Sequence, residues 1–264
     1  MVRVADRRVG CSQHRLSSHG EETVMIQVEH LVKQFGTFTA VQDVSFTVKE
    51  GEVFAFLGPN GSGKTTTMRC IVGLNVPTSG RVLINRLDVQ HFPNETRGFI
   101  SYLPQRVVFP EHHTAREVMR FYCKLRKLPL ERTDEALARA RFNGFADKPV
   151  SEFSGGMVQR LGLAVVALPD APILLLDEPT ANLDPAGVKR FRECVLNQKE
   201  EGKTIIFSTH LLHEAEQLAD RVGIFVGGRM VVEESIETLR KTFRASNSIE
   251  DMYLHYVGDD ADEH

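Results

Sequence analysis

The chain has 264 residues, 42% hydrophobic and 25% charged, with a formal net charge of −3. That is an ordinary globular composition, enough for one large domain or a domain with a subdomain. Nothing in the overall charge favours nucleic acid as a partner.

Cys11, Cys70, Cys123 and Cys194 lie far apart with no C-x-x-C spacing, which argues for scattered reduced thiols over a metal site or a disulfide framework. His112 and His113 are adjacent, so on a helix they point to different faces and make a poor metal pair. The longest apolar run, Leu161–Leu168, has eight residues, far short of the ~18 that suggest a membrane span.

Residues 1–24 carry four arginines and no apolar core, so they do not read as a secretory signal. They are expected to form a disordered extension, with Met25 as a candidate start. Strand patterns follow at Ile26–Val28, Val44–Val48 and Glu52–Leu57, and Gly51 between the last two predicts a hairpin. Thr65–Leu74 reads as a helix, Pro77–Gly80 as a turn, and Arg81–Ile84 and Phe99–Leu103 as strands. Helical patterns then cover 114–128 and 131–142, the first opened by a Thr114/Glu117 capping box. These predict a helical subdomain, about 106–160, inserted in an α/β domain. Its charge run Lys124–Lys127 reads as a solvated face. Met157, Leu161, Ala164, Val165 and Leu168 form a helical stripe ended by Pro169. Ile173–Leu176 and Thr204–Ser208 are continuous apolar runs on either side of a helix at about 186–200. Such alternation implies a mostly parallel, doubly wound sheet. Val222–Val226 and Arg229–Val232, joined by Gly227-Gly228, predict a hairpin. Asp259–His264 is an acidic end.

Two stretches suit phosphate. Gly58-Pro59-Asn60-Gly61-Ser62-Gly63-Lys64-Thr65, followed by Thr66, matches G-x-x-x-x-G-K-[ST] between a strand and a helix. Its glycines let backbone N–H groups curl around phosphate oxygens, Lys64 would reach the β- and γ-phosphates, and Thr65 would offer its hydroxyl to Mg²⁺. Ile173-Leu-Leu-Leu-Asp177 then delivers a carboxylate at a strand's C-terminal end, a second metal partner. Glu178, facing the other way, could take a proton from the water attacking the γ-phosphate. Gln105 and His210 end two other predicted strands, on the same side. The second stretch, Ser154-Gly155-Gly156, opens a helix nearly a hundred residues later and would also suit an anion.

In this order the motifs resemble those of the ATP-binding subunits of ABC transporters, from about Ile26 to Val232. Gly58–Thr65 is similar to the Walker A loop, Gln105 to the Q-loop and Ser154–Gly156 to the signature. Leu174–Glu178 is similar to Walker B with its catalytic glutamate, Ala181–Asp184 to the D-loop and His210 to the switch histidine. Phe35 takes the place of the aromatic that stacks on adenine. Phe153 and Met157 depart from the signature's usual leucine and glutamine. The resemblance implies a P-loop NTPase fold of the ABC type over residues 25–235, with an antiparallel N-terminal β-subdomain, the helical insertion and a C-terminal segment from 236 to 264. It also implies ATP and Mg²⁺, with Thr65, Gln105 and Asp177 at the metal. Two ATP-binding subunits, alike or different, would dock head to tail, with the signature of one completing the site of the other. Separate transmembrane permease subunits would place the protein in the cytoplasm, peripheral on the inner face of the membrane, with a groove beside Gln105, within segment 105–122, receiving a short helix of the permease. Ile249–Leu254 looks like an exporter-type ending, and Tyr102–Pro110 looks similar to the ATPase subunit that supports copper-site maturation of nitrous oxide reductase. The alternative class, a non-transport ABC ATPase of DNA repair or translation, usually carries coiled coils, zinc insertions or two tandem halves. This chain has one P-loop, no sustained heptads and no cysteine clusters.

Overall fold

The computed structural model describes residues 23–181 and 183–243. Most of the expected N-terminal extension, Cys11, the 249–254 segment, the acidic end and Asn182 of the D-loop lie outside the described residues.

Two sheets organise the chain. β1 (Val24–Phe35) and β2 (Phe38–Lys49) form an antiparallel hairpin around Gly36. Later in the chain β4 (Ser79–Ile84) pairs with β1, and β5 (Leu87–Asp88) pairs with β4, giving the order β2-β1-β4-β5. The second sheet contains β3 (Val53–Leu57), β6 (Ile100–Leu103), β7 (Ile173–Leu176), β8 (Thr204–Thr209), β9 (Arg221–Val226) and β10 (Arg229–Ser235). Its order is β10-β9-β3-β8-β7-β6, parallel throughout except for β10, which runs back along β9 from Gly227-Gly228 as the sequence predicts.

The hairpin expected at Gly51 is not formed, because β2 and β3 belong to different sheets. Their burial explains why. In β2 the buried Val44, Phe46 and Val48 alternate with more exposed neighbours, so one face is covered. In β3 all five residues are buried, so both faces are covered. Gly51, at φ +73, marks the step between the sheets.

The period of two divides the second sheet's side chains between two cores. Phe54, Phe56, Ile173, Leu175, Ile206 and Phe225 meet the first sheet and α1 (Lys64–Ile71). Val53, Ala55, Leu57, Leu174, Leu176, Ile205 and Phe207 face the other way. There they meet α6 (Pro185–Glu200), α7 (Leu212–Leu218) and α8 (Ile236–Phe243). A third cluster joins α3 (Ala115–Leu125), α4 (Arg132–Arg139) and α5 (Gly155–Ala167) through Val118, Met119, Leu137, Phe142, Leu161 and Ala164.

The Thr114/Glu117 capping box is present at the start of α3, and Lys124–Lys127 is exposed. Helix α1 stops at Ile71, short of Leu74, as the chain turns through Gly73 at φ +73. Strand β4 already begins at Ser79, within the expected turn, and the short α2 (Pro93–Gly98) was not foreseen.

Four phenylalanines join the sheets. Phe56 of β3 lies 5.4 Å from Phe46 of β2, 5.8 Å from Phe54 and 4.8 Å from Phe225 of β9, between ring centroids. Removing its ring leaves a cavity that three neighbours line. Phe56→Ala is expected to destabilise the fold by about 3–5 kcal/mol, read as a lower urea midpoint with an unchanged slope.

Candidate functional site

Strand β3 ends in the middle of its sheet, between β8 and β9, and the loop 58–63 leaves from its C-terminal end. Two glycines let the loop fit there. A Cβ on Gly58 would stand 2.2 Å from the carbonyl oxygen of Phe225. Gly63, at φ +103, caps α1, and a Cβ on it would stand 2.7 Å from the Ala40 carbonyl oxygen. The loop is thus wedged between β9 and β2. Asn60 and Gly61 at its tip are exposed, Pro59 is half-buried, and Ser62, Gly63 and Lys64 are buried. The Ser62 hydroxyl is buried with no hydrogen-bond partner. Lys64 Nζ donates to the carbonyls of Gly58 (2.6 Å) and Pro59 (2.8 Å). It stands 3.7 Å from Glu178 Oε1. Burial pushes the Lys64 ammonium below the usual lysine range, against the raising effect of Glu178 and Asp177. Thr65 and Thr66 follow, both half-buried at the start of α1.

The apolar strand β7 carries two carboxylates to the same edge. Asp177 has no exposed surface. Its Oδ1 accepts from Thr65 Oγ1 at 3.0 Å and from Ser208 Oγ at 2.7 Å, and its Oδ2 accepts from the Tyr102 hydroxyl at 3.4 Å. Burial and the Asp177 charge push the Tyr102 phenol up to about 12, with Arg69 opposing them. Glu178 takes different partners from Asp177. It sits at φ +46, which turns its carboxylate to Lys64 on one side and to His210 on the other. Glu178 Oε2 accepts from His210 Nδ1 at 3.0 Å, and Glu178 Oε1 is buried without a hydrogen bond.

The structure therefore brings together Lys64, Thr65, Asp177, Glu178 and His210. Gln105 is exposed, two residues past Leu103, whose carbonyl accepts the Asp177 N–H. No hydrogen bond among the described residues joins Gln105 to the group. Phe35 is 49% exposed at the end of β1, with Lys33 Nζ 4.8 Å from its ring centroid. It precedes Ala40, which touches the loop at Gly63, by only five residues. Ser154 caps α5, accepting the Met157 N–H at 3.3 Å. Ser154 and Gly155 are exposed and Gly156 is half-buried. Among the described residues, no hydrogen bond or ion pair joins 154–156 to the loop 58–65.

Sequence reasoning missed four buried or half-buried groups. Ser208 and Tyr102 reach Asp177, and Gln159 Nε2 donates to the Pro179 carbonyl at 3.1 Å. Glu214 accepts from Thr180 and Thr209. The signals were a polar residue at a predicted strand's end and polar residues on otherwise apolar helical faces.

Paired hard-oxygen donors at Thr65 and Asp177, beside an orphaned buried hydroxyl at Ser62 and a buried ammonium, suit a metal-bound polyphosphate. Residues 41–181 match the ABC transporter family. YcbN of Bacillus subtilis (strain 168), an uncharacterized ABC transporter ATP-binding protein, is 38% identical over 83% of this chain and 72% of its own length. A probable multidrug ABC transporter ATP-binding protein, YbhF of Escherichia coli (strain K12), is 33% identical over 88% of this chain, which spans 40% of it. The Nod factor export ATP-binding protein I of Sinorhizobium fredii (strain NBRC 101917 / NGR234) is 35% identical over 82% of this chain and 64% of its own length. The dimeric structure of a post-hydrolysis state of the ATP-binding cassette MJ0796, bound to ADP and Pi, matches with a TM-score of 0.73 at 26% identity. It covers 80% of this chain and 99% of that one. Since these likenesses span the phosphate loop, both carboxylates and the sheet that carries them, the chain belongs to the ABC transporter family as one of its ATP-binding, ATP-hydrolysing subunits.

Proposed function

We propose that the chain powers an exporter by closing and opening a head-to-tail dimer around ATP. One observation carries this reading. Lys64, Thr65, Asp177, Glu178 and His210 gather at one sheet edge, while the anion-suited helix start at Ser154–Gly156, exposed at Ser154 and Gly155, makes no hydrogen bond or ion pair to them among the described residues. A second copy, or a related subunit, would present its own Ser154–Gly156 to the same γ-phosphate. The isologous pairing makes two equivalent sites. The charge of the γ-phosphate then bridges Lys64 on one side and a helix N-terminus on the other. Its removal by hydrolysis takes the bridge away.

Within one half-site, the N–H groups of residues 60–65 and the Lys64 ammonium would hold phosphate, with Thr66 extending the helix N-terminus behind them. Thr65 and Asp177, with Gln105, would hold Mg²⁺. When bound, the ion neutralises charge on the phosphate oxygens. Glu178 takes the proton of the attacking water at its carboxylate. His210 fixes that carboxylate by the 3.0 Å hydrogen bond. The exposed ring of Phe35 would offer a face for adenine.

No helix among the described residues is long and apolar enough to cross a membrane. Separate permease subunits would supply the pathway, with this chain on the cytoplasmic face. A groove between β6 and α3, lined by Tyr102, Val107, Val108, Tyr122 and Arg126, would receive a permease helix. Exposed Val108, Phe121 and Leu125 support that docking. Export is supported by the likeness to the Nod factor export protein. Substrate choice would reside in the permease, and the Tyr102–Pro110 stretch is what supports a copper-handling system.

Glu178→Gln should keep ATP bound while lowering turnover by roughly 10²–10⁴-fold. Size-exclusion chromatography with ATP should show a trapped dimer, and near-normal hydrolysis would refute the general-base role. Ser154→Arg should leave ATP binding by the monomer intact and prevent the dimer in a Glu178→Gln background. Ser154→Ala, which loses the same N-cap of about 1 kcal/mol but adds no bulk or charge, is the control. Loss of nucleotide binding by monomeric Ser154→Arg would place the signature in its own chain's site instead.

A further inference from the structure

The turn after Asp177 has an unfavourable backbone. Glu178 lies at φ +46, in the left-handed region, where a residue bearing a side chain stays only if its surroundings over-determine it. Three buried contacts hold this turn. Ser208 Oγ accepts the Glu178 N–H at 2.8 Å, Gln159 Nε2 donates to the Pro179 carbonyl at 3.1 Å, and Thr180 Oγ1 donates to Glu214 Oε2 at 3.0 Å.

Glu214 differs from the other two because it reaches both sides of the site. The same Oε2 accepts from Thr209 Oγ1 at 2.8 Å. Thr209 immediately precedes His210, and its Oγ1 also accepts the Leu211 N–H at 3.0 Å. Thr209 is thus fixed to the carboxylate and in turn holds Leu211, so both sides of His210 are tied down, and the same carboxylate fixes the turn that follows Glu178. Glu214 is 2% exposed, and no ion pair to it occurs among the described residues. A buried carboxylate without a cation is a costly way to fill space. Its place is explained by the two hydroxyls it gathers.

We propose that Glu214 is a positioning residue for ATP hydrolysis. By tying Thr180 to Thr209 it holds the Glu178 carboxylate and the His210 imidazole at hydrogen-bonding distance. It acts through those residues and touches no reacting atom. The proposal rests on the reading of Glu178 and His210 as the hydrolytic pair.

The test uses Glu214→Gln, which replaces the carboxyl group by an amide, together with Thr209→Val and Thr180→Val, which replace a hydroxyl by a methyl at nearly constant volume. Steady-state ATPase kinetics give kcat and KM, and direct titration with ATP gives Kd. Each variant should lower kcat, by roughly ten- to a hundredfold for Thr209→Val, with KM and Kd unchanged. In a His210→Ala background Thr209→Val should lower kcat no further, since the pair it maintains is already gone. A merely structural role predicts the same loss in both backgrounds, and that result overturns the proposal, as does an unchanged kcat in Thr209→Val. If Glu178→Gln and His210→Ala themselves turn over normally, the hydrolytic-pair reading falls and takes the proposal with it. If those two lose turnover while the Glu214 and threonine variants do not, only the proposal falls.

Discussion

The structure depends on one fully buried carboxylate. Asp177 sits at the end of a strand whose four residues are all buried, and it has no exposed surface of its own. An unpaired ionised group in that position would be prohibitive, so the fold must bring it partners. Parallel register does this. Leu176 pairs with Leu103 on one side and with Phe207 on the other. One residue further on, Asp177 therefore stands beside Ser208, and the residues beyond β6 and β8 arrive at the same level. A slip of one residue would turn Asp177 to the opposite face and send its hydroxyl partners elsewhere. The same ladder pairs Leu57 with Thr209, which starts the phosphate loop next to His210. Catalytic geometry and sheet register are thus one constraint.

The site also concentrates what a stable core avoids. Two buried polar atoms without a hydrogen-bond partner, Ser62 Oγ and Glu178 Oε1, lie in it; the first costs about 1–3 kcal/mol, and the second has Lys64 Nζ at 3.7 Å to offset it. Glu178 adds a left-handed backbone, and the Lys64–Glu178 pair is held almost out of water. The aromatic cluster of Phe46, Phe54, Phe56 and Phe225 lies behind the loop and joins the two sheets that grip it at Ala40 and Phe225. A well-packed core there offsets a strained, under-bonded edge.

Much of this was legible in the sequence because its signals are local. A glycine loop between a strand and a helix, an apolar run ending in a carboxylate, and a capping box each depend on neighbours in the chain. The pairing of β2 and β3 was misread because Gly51 signals a turn without saying whether the chain stays in its sheet. The cue was the pattern itself, since Val44–Val48 alternates and Val53–Leu57 does not. The Glu178 backbone had no such cue, because nothing in the residue type favours positive φ. Glu214 shares the buried face of α7 with Ala215 and Leu218, and only the fold shows that Thr180 and Thr209, from different elements, converge on it.

Helix α5 connects the two halves of the proposed cycle. At its N-terminus Ser154 caps an exposed helix start, and along its length Leu161 and Ala164 enter the helical cluster while Val166 enters the core of the parallel sheet. Gln159, buried within the same helix, bonds the carbonyl that follows Glu178. A helix packed into two cores transmits displacement instead of absorbing it, because close-packed interiors do not deform continuously. In a closed dimer the partner's phosphate would pull on the N-terminus of α5, and Gln159 would carry that pull to Pro179. The hydrogen bond between Glu178 and His210 lies one residue away from that carbonyl. On the proposed reading, the same helix that meets the partner also holds the turn beside Glu178, so hydrolysis would be favoured where the dimer has formed.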